Sequence, residues 1–290
     1  MQDSSRIQEP VLRPRKRPRT RPSTVVAHIV LLSLAVIFVA PFYWLVVTSL
    51  KTDRQIFEVD KWFPQPVMWS NYVRAVHYIP FAQYTFNTLI ICFASIFGTV
   101  LSCSLVAYSF ARIPWKGRDT LFIIVLATLM LPGQVTMIPV FMIFKWLHWI
   151  GTYKPLIVPT FFGSAFFVFL LRQFFRSIPA ELSESARMDG ATELGIYSRI
   201  IMPLSKPALA TVALFTFIGA WTDFMGPLMY LNDPNKYTLS IGLQQFVSQH
   251  GAEWSMLMAA STIMAMPILV LYFLAQKTFV EGITLTGIKG

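Results

Sequence analysis

Few side chains in this sequence are typed and spaced for bond-making chemistry. The four histidines, His28, His77, His148 and His250, are scattered and assemble no metal-binding spacing. Cys92 and Cys103 share one apolar run. On a helix they stand about 16 Å apart, too far to bridge, and they read as small packing residues. No G-x-x-x-x-G-K-[ST] phosphate loop, H-E-x-x-H pair or nucleophile elbow occurs. The expectation is a chain that holds no ATP, cofactor or metal itself and has no catalytic residue. What remains is one carboxylate and one polar interval. The carboxylate is Asp223, in Trp221-Thr222-Asp223-Phe224, inside an apolar run long enough to cross a bilayer. An ionisable group there is costly and usually functional. Gly226-Pro227 follows and predicts a kinked or unwound helix at that point. A carboxylate beside opened backbone can face a polar cavity, where Trp221, Thr222, Asp223 and Phe224 would meet a hydroxyl-rich ligand. The competing reading is a structural Asp that hydrogen-bonds a neighbouring helix or the freed backbone.

The polar interval runs from Glu181 to Pro207, ELSESARMDGATELGIYSRIIMPLSKP, between two apolar segments. Glu181–Met188 has good helix formers and no internal Gly or Pro. Gly190 can adopt the left-handed conformation that closes a helix. Asp189 or a nearby residue then caps a second helix, which is expected to run to about Ile201 and to stop at Pro203. Ser205 and Pro207 suit the start of the next apolar helix.

The elements that must position these residues are membrane spans. Of the 290 residues, 55% are hydrophobic and only 13% charged, with a mean hydropathy of +0.56. Soluble domains carry roughly a quarter charged residues, so the simplest class is an all-α integral membrane protein. Six apolar segments are expected to span, at 24–50, 84–111, 121–144, 155–175, 207–231 and 254–276. Pro132-Gly133-Gln134 and Pro139 are expected to interrupt the third span. Lys154 and Arg172 bracket the fourth and are expected to snorkel. Asn87 is expected to join helices. Residues 1–23 are expected to form a disordered basic cytoplasmic tail, 24–280 the membrane domain, and 281–290 a second cytoplasmic tail. With both termini in the cytoplasm, the segments placed inside hold seventeen of the 24 Lys and Arg residues. The net charge of +10 therefore reads as topology and contact with anionic lipid, not as nucleic-acid binding. Outside lie a 51–83 loop rich in aromatics, read as either a docking lip or an interfacial belt, and a 232–253 loop with a short helix near the surface around Leu239–Phe246.

The polar interval resembles the EAA loop of ABC-importer permeases. Glu184-Ser-Ala186, Asp189-Gly190-Ala191 and Ile200-x-Met202-Pro203 sit at that loop's offsets, with Ser185 for the middle Ala and Met202 for Leu. The resemblance implies a cytoplasmic coupling loop, 177–206, docking into a separate ATPase subunit. In it Glu184 and Arg187 make polar contacts, Ala186, Gly190 and Ala191 allow close approach, and Ile200 and Pro203 anchor the loop to the fifth span. Asp189 belongs to the same motif. Trp221-x-Asp223-Phe224-x-x-Pro227-Leu228-x-x-Leu231-x-Asp233, Thr238-Leu239-x-x-Gly242-Leu243 and the final Gly282-x-Thr284-x-x-Gly287-x-Lys289-Gly290 are similar to carbohydrate importers of the maltose-permease type. Many relatives have Asn where this chain has Thr222.

The resemblance implies a type I ABC-importer-like permease in the cell membrane, working by alternating access. It further implies a second homologous permease, two cytosolic ATP-binding subunits that hold ATP and Mg, and an extracytoplasmic solute-binding protein. Oligosaccharide is the first-choice solute, then a sugar phosphate or polyol. A channel or ion-coupled carrier would need ionisable residues along a pathway, and the sequence offers one. An intramembrane enzyme would need clustered catalytic side chains, which are missing.

Overall fold

The computed structural model describes residues 22–58, 62–248 and 251–287. The basic stretch before Pro22 lies outside them, with the expectation made for it. Among the described residues the regular structure is helical apart from one antiparallel pair, β1 (Val247–Ser248) and β2 (Gly251–Ala252). Helix α1 (Pro22–Ser49) is predominantly apolar, carries no Asp, Glu, Lys or Arg, and contains Pro41. The stretch to Trp44 forms one unit and Leu45 onward a second.

The second unit continues with α2 (Asp53–Ile56), α3 (Ser70–Tyr78), α4 (Phe81–Arg112), α5 (Arg118–Ala127), α6 (Gly133–Trp146), α7 (Lys154–Ile157) and α8 (Ala165–Ser177). After these come α9 (Glu181–Met188), α10 (Glu193–Ile196), α11 (Met202–Leu204), α12 (Lys206–Thr222), α13 (Met225–Tyr230), α14 (Leu239–Gln244) and α15 (Trp254–Gly287). Among the described residues, four stretches are long and apolar enough to cross a membrane: 24–49, Phe81–Arg112, Lys154–Ser177 and Trp254–Gln276. Two bent pairs raise the number to six if each crosses as one.

The axis of this unit is α4. Its 32 residues make it about 48 Å long, against roughly 30 Å of hydrocarbon. It packs along α8 and α12 and passes through both buried apolar clusters. One gathers Cys103, Ala107 and Tyr108 with Phe122, Leu171 and Tyr197; the other gathers Phe81, Tyr84 and Cys92 with Trp221, Leu239 and Ala259. Small residues let this happen: Cys92, Cys103 and Ala107 are all fully buried where helices approach. Asn71 on α3 ties the end of α1 into the same unit, donating to the Ser49 and Lys51 carbonyls at 2.9 and 2.8 Å.

The interruption expected at Pro132-Gly133 is present, where Arg118–Met130 and Gly133–Trp146 meet at 98°, while several other expectations change. Leu131 is extended, with ψ 114°, because a residue before proline avoids the helical region, and Pro132 is extended as well, with ψ 134°. Pro139 does not interrupt; it sits within α6. Arg172 does not snorkel. It is buried, donating from Nε to the Phe110 carbonyl at 3.2 Å and pairing through Nη2 with Asp119 at 3.3 Å. Its guanidinium carbon lies 3.9 Å from the centre of the Phe122 ring. Asn87 joins α4 to the short 3-10 helix Pro234–Lys236 and the residue after it, not to another span, donating to the carbonyls of Asn235 and Tyr237 at 2.9 Å each. The helix near Leu239–Phe246 exists as α14, but Leu239, Ile241 and Phe246 are buried, so it belongs to the core. Helix α15 runs on to Gly287, through most of the stretch taken as a tail.

Candidate functional site

The polar interval folds as two short arms about Gly190. Helix α9 closes in a Schellman turn: Gly190 N–H donates to the Arg187 carbonyl at 3.0 Å and Ala191 N–H to the Ala186 carbonyl at 2.9 Å. Gly190 supplies the left-handed residue, at φ +80°. The second arm is capped not by Asp189 but by Thr192, whose Oγ1 accepts the Gly195 N–H at 3.2 Å. Pro203 does not stop this arm. A π-helical stretch, Tyr197–Ile201, precedes it and places it in the first turn of α11, where its missing N–H costs no bond. The arm ends at Ser205, and Glu193–Leu204 meets Lys206–Thr222 at 79°.

The motif residues divide into those facing outward and those facing in. Glu184, Asp189, Gly190, Ala191 and Pro203 are exposed, while Ala186 and Ile200 are half-buried against the cluster around Tyr108 and Tyr197. Arg187 is already engaged within the loop: its Nε is 2.6 Å from Glu193 Oε1 and its Nη2 3.3 Å from Oε2. The Glu193 carboxylate holds Arg187 above the usual guanidinium value, and Arg187 in turn holds Glu193 below the usual carboxylate range. The motif did not mark Met188 and Leu194, large apolar side chains 88% and 68% exposed on either side of the turn. Their exposure was legible only as two apolar residues in a polar interval. Nor did it mark Glu193, whose second partner is the Tyr108 hydroxyl, 85 residues away in sequence and 2.6 Å from Oε2.

The four residues around Asp223 are not brought to one surface. Trp221 is buried against α15, donating from Nε1 to the Met264 carbonyl at 2.9 Å and stacking on Phe217. Thr222 donates to the Ile218 carbonyl at 2.7 Å, and Phe224 is 36% exposed. The break falls at Asp223 itself, with ψ 119°, rather than at Gly226-Pro227, which lie in the first turn of α13. Asp223 Oδ1 accepts the Gly226 N–H at 3.0 Å, so the carboxylate begins that helix. Its main-chain carbonyl accepts Ser240 Oγ at 2.5 Å. Asp223 also lines a cavity of about 200 Å³ whose wall is half polar, with Ser95, Thr160, Thr216 and Thr238, and half apolar or glycine, with Ile91, Leu156, Gly219, Ala220 and Pro227. The hydroxyls of Thr160 and Thr216 already donate to the Ile157 and Val212 carbonyls, and nothing in the wall is arranged for bond cleavage.

Residues 103–284 match the family described as binding-protein-dependent transport system inner membrane component. The arabinooligosaccharides transport system permease protein AraQ of Bacillus subtilis (strain 168) is 32% identical over 267 residues, 89% of this chain and 93% of that one. The sn-glycerol-3-phosphate transport system permease protein UgpE of Yersinia enterocolitica is 31% identical over 265 residues, 88% and 94% of the two chains. Among solved structures, a chain of a bacterial ABC transporter involved in the import of the acidic polysaccharide alginate superposes with a TM-score of 0.75 at 24% identity, covering 91% of this chain and 99% of its own.

Proposed function

This chain belongs to the family of binding-protein-dependent transport system inner membrane components, and from that premise we propose that it carries a sugar or short oligosaccharide into the cell. It is a multi-pass membrane permease of the ABC-importer kind, a transport subunit and not an enzyme. Permeases of this family work with ATPase subunits and a solute-binding protein. The finer assembly is part of the proposal: a second homologous permease, two ATPase copies holding ATP and Mg, and both termini of this chain in the cytoplasm.

The observation that carries the reading is the loop at Gly190. It offers a rigid two-armed knuckle, with the Glu184 carboxylate and the apolar Met188 and Leu194 exposed, and a tightly closed turn between the arms. Helix in groove is a recurring docking mode, and exposed large apolar groups at the tip are its usual anchors. Glu184, Ala186, Asp189, Gly190, Ala191, Ile200 and Pro203 serve that docking and its anchoring. Arg187 serves it from within, by bracing the two arms. The solute preference rests on the relatives' substrates, and the half-polar cavity at Asp223 is the place for the solute in this chain. That cavity is smaller than the roughly 300–1,000 Å³ of a typical ligand pocket, so the partner permease supplies the remaining wall. Within it Asp223 is the solute-facing group of this chain, and Trp221, Thr222 and Phe224 hold its place.

The test is reconstitution of this chain with its membrane partner, ATPase and binding protein in proteoliposomes. ATP-dependent uptake of labelled oligosaccharides in preference to a sugar phosphate or a polyol is expected. Uptake without ATP, or a chain that purifies with no ATPase, would sink the reading.

A further inference from the structure

Three polar residues of α4 share one face at intervals of four: Ser104, Tyr108 and Arg112. Each holds a different station of the loop or of the segment leading into it. Ser104 Oγ lies 2.7 Å from the Tyr197 hydroxyl, in the π-helical stretch. The Tyr108 hydroxyl donates to Glu193 Oε2 at 2.6 Å, at the start of α10. Arg112 Nη2 donates to the Phe175 carbonyl at 2.5 Å and to the Ile178 carbonyl, where α8 hands over to the loop. The rings of Tyr108 and Tyr197 meet edge to face at 5.4 Å. Glu193 closes the set, because its other oxygen braces Arg187 of α9. The stripe spans about 12 Å of α4, so both arms and the incoming segment are fastened to one continuous helix.

The covalent route is less direct. Between α10 and α12 lie the π-helical stretch and the 79° bend at Ser205. A push on the loop that travelled only along the chain would have to pass through that bend.

Resting on the importer reading above, we propose that Tyr108 and Glu193, with Ser104 and Arg112 on either side, are positioning residues that make α4 the receiver of the loop's movement. Displacement of the loop by the ATPase then moves α4, and α4 carries it to α8 and α12, which pack along it.

The test uses the complete transporter in proteoliposomes, reading solute moved per ATP hydrolysed. Tyr108→Phe keeps the ring packing and removes the hydroxyl. Glu193→Gln keeps a hydrogen-bond acceptor and removes the charge. The ratio is expected to fall roughly tenfold in Tyr108→Phe, where a charge-assisted hydrogen bond is lost, and by less in Glu193→Gln, where it becomes a neutral one, and the double variant should be no worse than the more impaired single one. A second readout is the distance between spin labels on Leu105 of α4 and Ser198 of the loop, both exposed. It should stay constant between nucleotide-free and nucleotide-bound states in the parent and vary between them in Tyr108→Phe. Unchanged ratios in both single variants, or a parent label distance that changes with nucleotide, would overturn the proposal. Failure of the importer reading would instead show as absent ATP-driven uptake in the parent.

Discussion

Substituting Gly190 separates two reasons for a glycine at the tip of the loop. Its φ of +80° closes α9 and lets the Gly190 and Ala191 N–H groups reach back to Arg187 and Ala186. A Cβ built on it meets no atom within 4 Å, so a larger residue clashes with nothing in this chain. The cost is conformational: left-handed backbone costs an L-residue about 1–2 kcal/mol, and a β-branched residue is a genuine outlier there. Asn visits this region far more readily. Gly190→Val should therefore shift the turn's equilibrium by roughly 5- to 30-fold, while Gly190→Asn should shift it little. In the reconstituted transporter, Gly190→Val is expected to lower solute uptake per ATP while inserting normally, and Gly190→Asn to stay near the parent. Normal coupling in Gly190→Val would refute a conformational role. Equal damage from Val and Asn would refute it differently, by showing that the ATPase needs the bare Cα surface and that φ is incidental.

Gly242→Ala tests the packing of α14: its Cβ would sit 2.6 Å from Tyr84 Cδ2 and 3.0 Å from Ile79 Cδ1, and overpacking of this kind costs about 1–3 kcal/mol. Thermal melting of the purified chain in detergent should drop by several degrees, and no drop would mean that α14 is less tightly held than its contacts imply. Arg172→Leu should destabilise by about 2 kcal/mol, combining a lost hydrogen bond and a lost cation–π contact, whereas Asp119→Asn should matter little because that side chain is largely exposed. Arg172→Lys is expected to restore only part of the loss in the same melting assay, since a point charge cannot both reach the Phe110 carbonyl and cover the ring. Glu193 titrates below the usual carboxylate range because of Arg187, so its stabilisation is present above its unfolded value near 4.3 and is lost as pH falls through its lower folded value. The melting difference between the parent and Glu193→Gln should be flat from about pH 8 to 5 and shrink below about pH 4; a difference that already fades near neutrality would contradict the Arg187 pairing.

Hydropathy, helix breakers and motif spacing are local signals, and they carried the class of this protein a long way. Apolar runs of bilayer length mark spans because lipid tolerates little else. The turn at Gly190 was legible because few residues other than glycine close a helix in that conformation. The offsets from Glu184 to Pro203 located the loop before any contact was seen. Partners distant in sequence were not legible. Nothing in the string around Arg172 says that a carbonyl of α4 and the ring of Phe122 wait for it instead of the interface. Trp221 and Asp223 are two residues apart, yet one is turned into α15 and the other begins α13, because the chain breaks between α12 and α13. Pro132 signalled an interruption but not a 98° bend, whose size depends on what α5 and α6 pack against. The Tyr108–Glu193 hydrogen bond joins helices separated by 85 positions. Sequence by itself determined a membrane protein with a glycine-closed loop, since those features follow from solvation and backbone sterics acting over a few residues, while the permease reading came from that loop's resemblance to a known motif. Only the tertiary structure decided which polar groups face one another, because a buried polar side chain is satisfied by whatever donor or acceptor the packing of other helices brings within about 3 Å.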